Sequence, residues 1–285
     1  MGERYAYLLA ETRKRMEQMK YKALFLDIDD TLIGNDKRIS ETNLAAISRA
    51  QAAGVLVTIA TGRGYLGATS VWQALNIQGP VIVYGGARVM DTRTDEELFS
   101  APIEPGLIRE ALTCAREWGL HGQIYQGDTV IFAQENGFTE SYTSYLRLPY
   151  VIDPELMEKE WHNVPKVLVY ATPGEQEQEM NARFAKRFEG RLEVASSKPG
   201  FIEINQFGMN KGSAMLRTAE LLGIAQEETV AIGDNTLDLQ MIQMAGLGVC
   251  VENGQQVVKD AASLIAPACE ADGVAWVIDN ILLQQ

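Results

Sequence analysis

The stretch FLDIDDTLIG, residues 25–34, closes an apolar run with three carboxylates inside four positions: Asp27, Asp29 and Asp30. Like charges this close repel, so the chain either leaves them in water at a loop or uses them to hold something positive. A side chain two residues on along an extended strand returns to the same face, so Asp27 and Asp29 can address one centre. Three further polar signals fall where apolar strands stop: TGR at 61–63, Lys211 just inside a helix start in GMNKGSAM, and GDNTLD at 233–238. Each has an ordinary explanation when taken singly. Aspartates cap helices and populate turns, Thr-Gly-Arg is a common turn without the full P-loop pattern, a lone lysine is usually solvated, and Gly-Asp-Asn is usually a loop. Their weight lies in sharing strand ends and helix starts on what should be one edge of one sheet.

The elements that must position these groups follow a regular rhythm. YKALFLDI reads as a buried strand, ISETNLAAISRAQAAG as a helix with Ser40 at its N-cap and Gly54 at its end, and VLVTIAT as a second buried strand. YLGATSVWQALN is a further helix and PVIVYGG a third apolar strand. Strands alternating with helices predict an α/β fold, a doubly wound parallel sheet whose ligands gather at the carboxyl ends of its strands. The rhythm changes after residue 87. RVMDTRTDEELFSAPI reads as a hairpin, and helices near 105–118, 137–147 and 174–188 interleave with the strands GQIYQ, TVIFAQ, KVLVYAT and LEVAS. Residues 88–196 are therefore expected to form an inserted α+β domain, with 21–87 and 197–285 as the core and 1–20 as an N-terminal helical extension. Within the insert, Tyr125, Tyr142, Tyr145, Arg147 and Trp161 are candidates for a pocket, although aromatics at these spacings more often fill a core.

Composition narrows the classes. The 285 residues are 46% hydrophobic and 22% charged, as in an ordinary globular protein with one large or two moderate domains. A formal charge of −13 leaves no basic surplus to neutralise phosphates, which argues against nucleic-acid binding. No apolar run approaches the roughly 20 residues that span a bilayer, so no membrane partner and a cytoplasmic location are expected. Cys114, Cys250 and Cys269 are widely spaced and odd in number, and His121 and His162 stand outside any metal-ligand pattern. Nothing in the composition sets an oligomeric state.

The order D-x-D-x-T, then a Thr after the second strand, a Lys, and G-D-x-x-x-D resembles that of the haloacid-dehalogenase-like (HAD) phosphohydrolases. The large insert, the NGA-like stretch at Gly85–Ala87 and the terminal GVAWVIDNIL are similar to the Cof-type subgroup, subclass IIB, with its C2-type cap. The resemblance covers residues 21–285. It implies a Rossmann-like HAD core and a Mg2+-dependent phosphomonoester hydrolase acting on small phosphorylated metabolites, such as sugar phosphates or phosphorylated cofactors.

Residue by residue, the resemblance implies that Asp27 attacks phosphorus to form an aspartyl-phosphate. Asp29 would protonate the leaving alkoxide and then activate water. The Thr61 hydroxyl and the backbone N–H groups of Ile28 and Gly62 would hold phosphoryl oxygens, and Lys211 would pair with both Asp27 and the phosphate. Mg2+ would take Asp27, Asp234 and the backbone carbonyl of Asp29, with Asp238 behind it orienting bound water. A phosphate dianion resists a carboxylate nucleophile, and Mg2+ with Lys211 supplies the positive charge that offsets this repulsion.

Three departures from the family pattern stand out. Asp30 occupies a position often held by Gly, Leu237 replaces an Asn that helps hold phosphate, and the NGA stretch lacks its Asn. The same set of residues also suits a phosphomutase. A signalling receiver or a noncatalytic binding module is the reading from a different class, set against by the length of the chain and its intact polar set.

Overall fold

The computed structural model describes residues 19–146 and 148–284. The expected N-terminal helix falls almost wholly outside them. In chain order the elements begin β1 (Ala23–Leu26), α1 (Glu41–Ala53), β2 (Leu56–Ile59), α2 (Tyr65–Ala74), β3 (Pro80–Val83), β4 (Arg88–Asp91) and β5 (Glu97–Ser100). They continue with α3 (Pro105–Glu117), β6 (His121–Gln126), β7 (Thr129–Phe132), α4 (Gly137–Leu146), β8 (Tyr150–Ile152), β9 (Val167–Tyr170), α5 (Glu175–Arg187), β10 (Leu192–Ser196) and β11 (Phe201–Gln206). The chain closes with α6 (Lys211–Leu221), β12 (Thr229–Gly233), α7 (Leu239–Met244), β13 (Leu247–Val251), α8 (Gln256–Ala261), β14 (Leu264–Ala266) and α9 (Gly273–Val277). Among the described residues no helix is long and apolar enough to cross a membrane.

Five parallel strands in the order β14-β13-β12-β1-β2 form the central sheet. Strand periodicity divides its side chains between two layers. Leu24, Leu26, Val57, Ile59, Val230 and Ile232 pack into one apolar cluster, whereas Ala23, Phe25 and Ala231 pack with Ala214, Met215 and Met241 of α6 and α7 into another. A strand buried on both faces reads as a continuous apolar run, which is why ALFL is wholly buried. The α/β reading of the sequence holds here. Helix α1 starts where expected: Ser40 accepts the Asn43 N–H, and Gly54 ends the helix at φ 104°.

The expected third parallel strand is placed differently. Strand β3 pairs antiparallel with β4, and β4 with β5, and only a single parallel bridge, Ala60 to Ile82, ties β3 to the continuation of β2. The second large sheet has the order β10-β11-β9-β6-β7-β8. Its edges do not fall at residues 88 and 196. The 88–100 hairpin belongs with β3, while FIEINQ (β11) is hydrogen-bonded between β10 and β9. Backbone pairing sets these edges, and a change in compositional rhythm locates them only approximately. One face of this sheet packs Ile124, Ile131, Val167, Val169, Ile202 and Ile204 against α3 and α5. The other carries Gln123, Tyr125, Leu168, Tyr170, Phe201 and Glu203, an unusually polar and aromatic set, and turns toward the central sheet.

Candidate active site

Strand β1 ends at Leu26, and the next residue, Asp27, is only 3% exposed. The chain then turns tightly, because the Leu32 and Ile33 N–H groups both donate to the Ile28 carbonyl at 3.0 and 2.8 Å. Opposite Asp27 stands Lys211, the first residue of α6. That helix is fixed by a reciprocal cap in which Asn210 Oδ1 accepts the Ser213 N–H and Ser213 Oγ accepts the Asn210 N–H. The 84–86 turn is seated against the same helix start. Gly86 has φ 103°, and a Cβ there would lie 2.2 Å from the Asn210 carbonyl oxygen, so only glycine permits this approach.

Lys211 is wholly buried, with its Nζ 2.5 Å from Asp27 Oδ1 and 2.5 Å from Asp238 Oδ1. Burial alone would lower its pKa, but Asp238 and Asp27 together hold it above the ordinary lysine value. Asp27 is pushed up to about 7, chiefly by burial and then by the Asp238 charge, against the pull of Lys211. Asp234 is pushed up to about 9 by burial and by Asp27. Its Oδ1 accepts from Thr31 Oγ1 at 3.0 Å and from Asn235 Nδ2 at 3.1 Å.

These groups fit a hard divalent cation. Carboxylate oxygens of Asp27, Asp234 and Asp238 lie within 4.8 Å of one another, and Asp27 Oδ2 is buried without a hydrogen-bond partner. The Asp27 and Asp234 carboxyls are both raised by burial first and by neighbouring negative charge second, and a bound cation would relieve each. Asp238 is the least available of the three. Its Oδ1 is taken by Lys211, and its Oδ2 accepts the backbone N–H groups of Asp234 and Asn235 at 3.0 and 3.2 Å. Asp238 anchors Lys211 and the 233–238 turn. Gly233 makes room for that fold-back, since a Cβ on it would meet the Asp238 carboxyl carbon at 2.5 Å.

Asp29 occupies a different electrostatic setting. Arg63 grips its carboxylate with two hydrogen bonds, Nε to Oδ2 at 2.9 Å and Nη2 to Oδ1 at 2.7 Å, and Lys198 Nζ lies 2.9 Å from Oδ1. Burial would raise this carboxyl, but Arg63 and Lys198 hold it well below the usual carboxylate range. Asp30 stands apart from both neighbours. It adopts φ 61°, its N–H donates to the Ile33 carbonyl at 2.8 Å, and its own carbonyl accepts from Asn253 Nδ2 at 2.7 Å. A left-handed residue at this place explains why glycine suits it.

A cavity of about 400 Å³ collects these parts. Asp27, Asp29, Thr61, Gly62 and Lys211 line it, while Asp234 and Asp238 lie behind Asp27 and the Ile28 side chain is in the core. The Thr61 hydroxyl accepts the Arg63 N–H at 3.1 Å. Leu237, the departure noted in the sequence, lines the cavity with an apolar side chain. Other lining residues come from the second sheet and its loops. Lys166 is 3% exposed, donates to the Gly62 carbonyl at 2.7 Å and pairs with buried Glu203 at 2.6 Å.

Of the pocket candidates, Tyr142 lines the cavity, whereas Tyr125 is buried behind it with its hydroxyl on that of Tyr142. Trp161 donates to the Leu156 carbonyl and packs into the far core. The side chains of Tyr145 and Arg147 are outside the described residues. Lys166, Lys198, Glu203, Asn235 and the Arg63 grip were not singled out from the sequence. Only Arg63 and Asn235 carried a signal, as members of TGR and GDNTLD.

A family model described as haloacid dehalogenase-like hydrolase matches residues 24–278. Among curated proteins, the 5-amino-6-(5-phospho-D-ribitylamino)uracil phosphatase YcsE of Bacillus subtilis is 29% identical over 270 residues, covering 94% of this chain and 98% of its own. The pyridoxal phosphate phosphatase YbhA of Escherichia coli is 25% identical over 282 residues, covering 93% of this chain and 100% of its own. The crystal structure of a haloacid dehalogenase-like hydrolase from Bacteroides thetaiotaomicron matches with a TM-score of 0.79 at 27% identity, over 92% of this chain and 100% of that one.

Proposed function

The chain belongs to the haloacid dehalogenase-like hydrolase family, and from that premise we propose that it is a Mg2+-dependent phosphatase of small phosphorylated metabolites. The observation that carries this reading is Asp27 at the strand tip, with one oxygen on Lys211 and the other without a hydrogen-bond partner in a cavity of metabolite size. The two curated relatives named above, both phosphatases of phosphorylated small molecules, support it.

Asp27 attacks phosphorus, the bond to the leaving oxygen breaks, and that oxygen takes a proton from Asp29. Asp29 then accepts a proton from water, whose oxygen attacks the aspartyl-phosphate and frees Asp27 and phosphate. As the carboxylate gripped by Arg63 and Lys198, Asp29 is in the proton-accepting form. An arriving phosphate dianion competes for those two cations, and their release lets Asp29 hold the proton that the first step requires. The Thr61 hydroxyl and the N–H groups of Ile28 and Gly62 face the phosphoryl oxygens. Asp27, Asp234 and the Asp29 carbonyl would hold Mg2+, which when bound polarises a phosphoryl oxygen and offsets the charge that opposes attack. The segment expected at 88–196 acts as a cap that supplies the leaving-group contacts.

Phosphate release from a generic aryl phosphate should require Mg2+ and stop with chelator; undiminished turnover in chelator defeats the cofactor assignment. The raised carboxyls also set the sign of a pH effect. A carboxyl with a folded pKa above its unfolded value stabilises the fold fully below the unfolded pKa, and that contribution is lost as pH rises through the folded one. Without Mg2+, stability should therefore fall from pH 3.8 upward through about 7 for Asp27 and about 9 for Asp234. Melting curves should show a Mg2+-induced rise in Tm that grows between about pH 5 and about pH 9. A rise that is equal at both ends would contradict this assignment.

Asp30 provides an internal control. Asp30→Gly keeps the left-handed turn and removes no cavity lining, so kcat/KM should stay within about threefold of the wild type. A loss as large as that from Asp29→Asn would mean that the three carboxylates have been divided wrongly.

A further inference from the structure

The cavity has two unlike ends. Asp27, Lys211 and Thr61 form the polar one, and at the other four aromatic side chains meet: Phe138, Tyr142, Tyr170 and Phe201. Two separate rules of secondary structure bring them together. Phe138 and Tyr142 are four residues apart on α4 and so share a helix face, and Tyr170 and Phe201 are register partners on the antiparallel strands β9 and β11. The Phe138 ring centroid is 5.4 Å from Tyr142 and 4.4 Å from Tyr170, with interplanar angles of 23° and 31°. Tyr142 and Phe201 are 5.9 Å apart at 32°. Phe138 stacks on Tyr142, the Phe138–Tyr170 and Tyr142–Phe201 pairs are tilted, and Tyr170 meets Phe201 edge to face at 78°, so the four rings form one continuous aromatic wall of mixed orientation beside the cavity.

The polar groups nearby are already engaged with one another. Glu203 accepts from Ser197 Oγ at 2.6 Å and pairs with Lys166, which also donates to the Gly62 carbonyl. A polyol entering this end would lose hydration at its hydroxyls and meet ring faces, whereas a flat ring would gain stacking without leaving polar groups unpaired. We infer that the preferred substrate is a phosphomonoester whose alcohol part carries a flat aromatic or heteroaromatic ring, stacked on the wall of Phe138, Tyr142, Tyr170 and Phe201. This inference rests on the phosphatase reading.

The test compares the full-length enzyme with Mg2+ on pyridoxal phosphate, a hexose monophosphate, glycerol phosphate and a generic aryl phosphate. The kcat/KM for pyridoxal phosphate should exceed that for the hexose monophosphate by at least about tenfold, as expected of ring stacking. The double variant Tyr170→Leu, Phe201→Leu should shrink that ratio by about tenfold, and Phe201→Tyr, which keeps a ring, should restore most of it when combined with native Tyr170. Equal or better turnover of the hexose monophosphate by the wild type overturns the inference while leaving the phosphatase reading intact. A parallel fall for every substrate in the double variant overturns it as well, because a general loss of structure does not alter a ratio. If none of the four is hydrolysed, the phosphatase reading falls and takes this inference with it.

Discussion

Asp27→Asn abolishes phosphate release, with kcat lower by about 10⁴-fold or more, as for loss of a covalent nucleophile. The amide has the shape of the carboxylate and can keep a hydrogen bond to Lys211, yet it cannot form the aspartyl-phosphate. The same substitution should leave the fold as stable or more stable in chelator at neutral pH. Burial and the neighbouring Asp238 charge oppose ionisation of Asp27, and the amide removes that unfavourable charge. Loss of turnover with an unchanged or raised Tm is thus the expected signature, measured by phosphate release and thermal melting on one preparation. Wild-type turnover in the variant would remove Asp27 from its role, and a large drop in Tm would show that the loss came from unfolding.

Lys211→Met should damage both properties. The lysine is wholly buried between two carboxylates at 2.5 Å, so removing it strands uncompensated negative charge in the interior. Breaking a buried ion cluster in this way costs about 3–5 kcal/mol, whereas an exposed pair is worth under about 1 kcal/mol. Urea unfolding should show the larger figure at neutral pH. Part of it should return as pH falls through the Asp27 and Asp234 range, because protonation discharges the stranded carboxyls. Activity should fall by about 10³-fold as the charge facing phosphate disappears. A variant as stable and as active as the wild type would mean that the Asp27–Lys211–Asp238 contacts matter to neither property.

Much of this was legible in the sequence because the core elements are local. The strand VLVTI, the Ser40 cap and Gly54 each declare themselves within a few residues, and the carboxyl-end rule then places Asp27, Thr61, Lys211 and Asp234 on one edge. The hydrogen-bond partners of Asp238 were not legible. The fold-back of its side chain onto the Asp234 and Asn235 N–H groups depends on the short helical turn at 236–238, which no spacing rule specifies. The wall of rings was beyond reach for a different reason. Tyr170 and Phe201 meet only because β9 and β11 are adjacent in a sheet whose strand order departs from chain order, and Lys166 reaches Gly62 across 104 positions. The pairing of FIEINQ between β10 and β9, and of the 88–100 hairpin with β3, was out of reach on the same ground, since the partners lie outside any window.

Helix α2 begins at Gly64, which offers no side chain to its first turn; the Leu66 N–H is instead met at 3.1 Å by Asp128, from the loop between β6 and β7. Tyr84 donates to that same carboxylate and is within 2.8 Å of the Gly127 carbonyl. The helix following the Thr61 loop therefore borrows its start from the other layer of the molecule. A helix cap is worth about 1 kcal/mol, so the start of α2 depends for about this much on the 127–128 turn of the other layer staying in place.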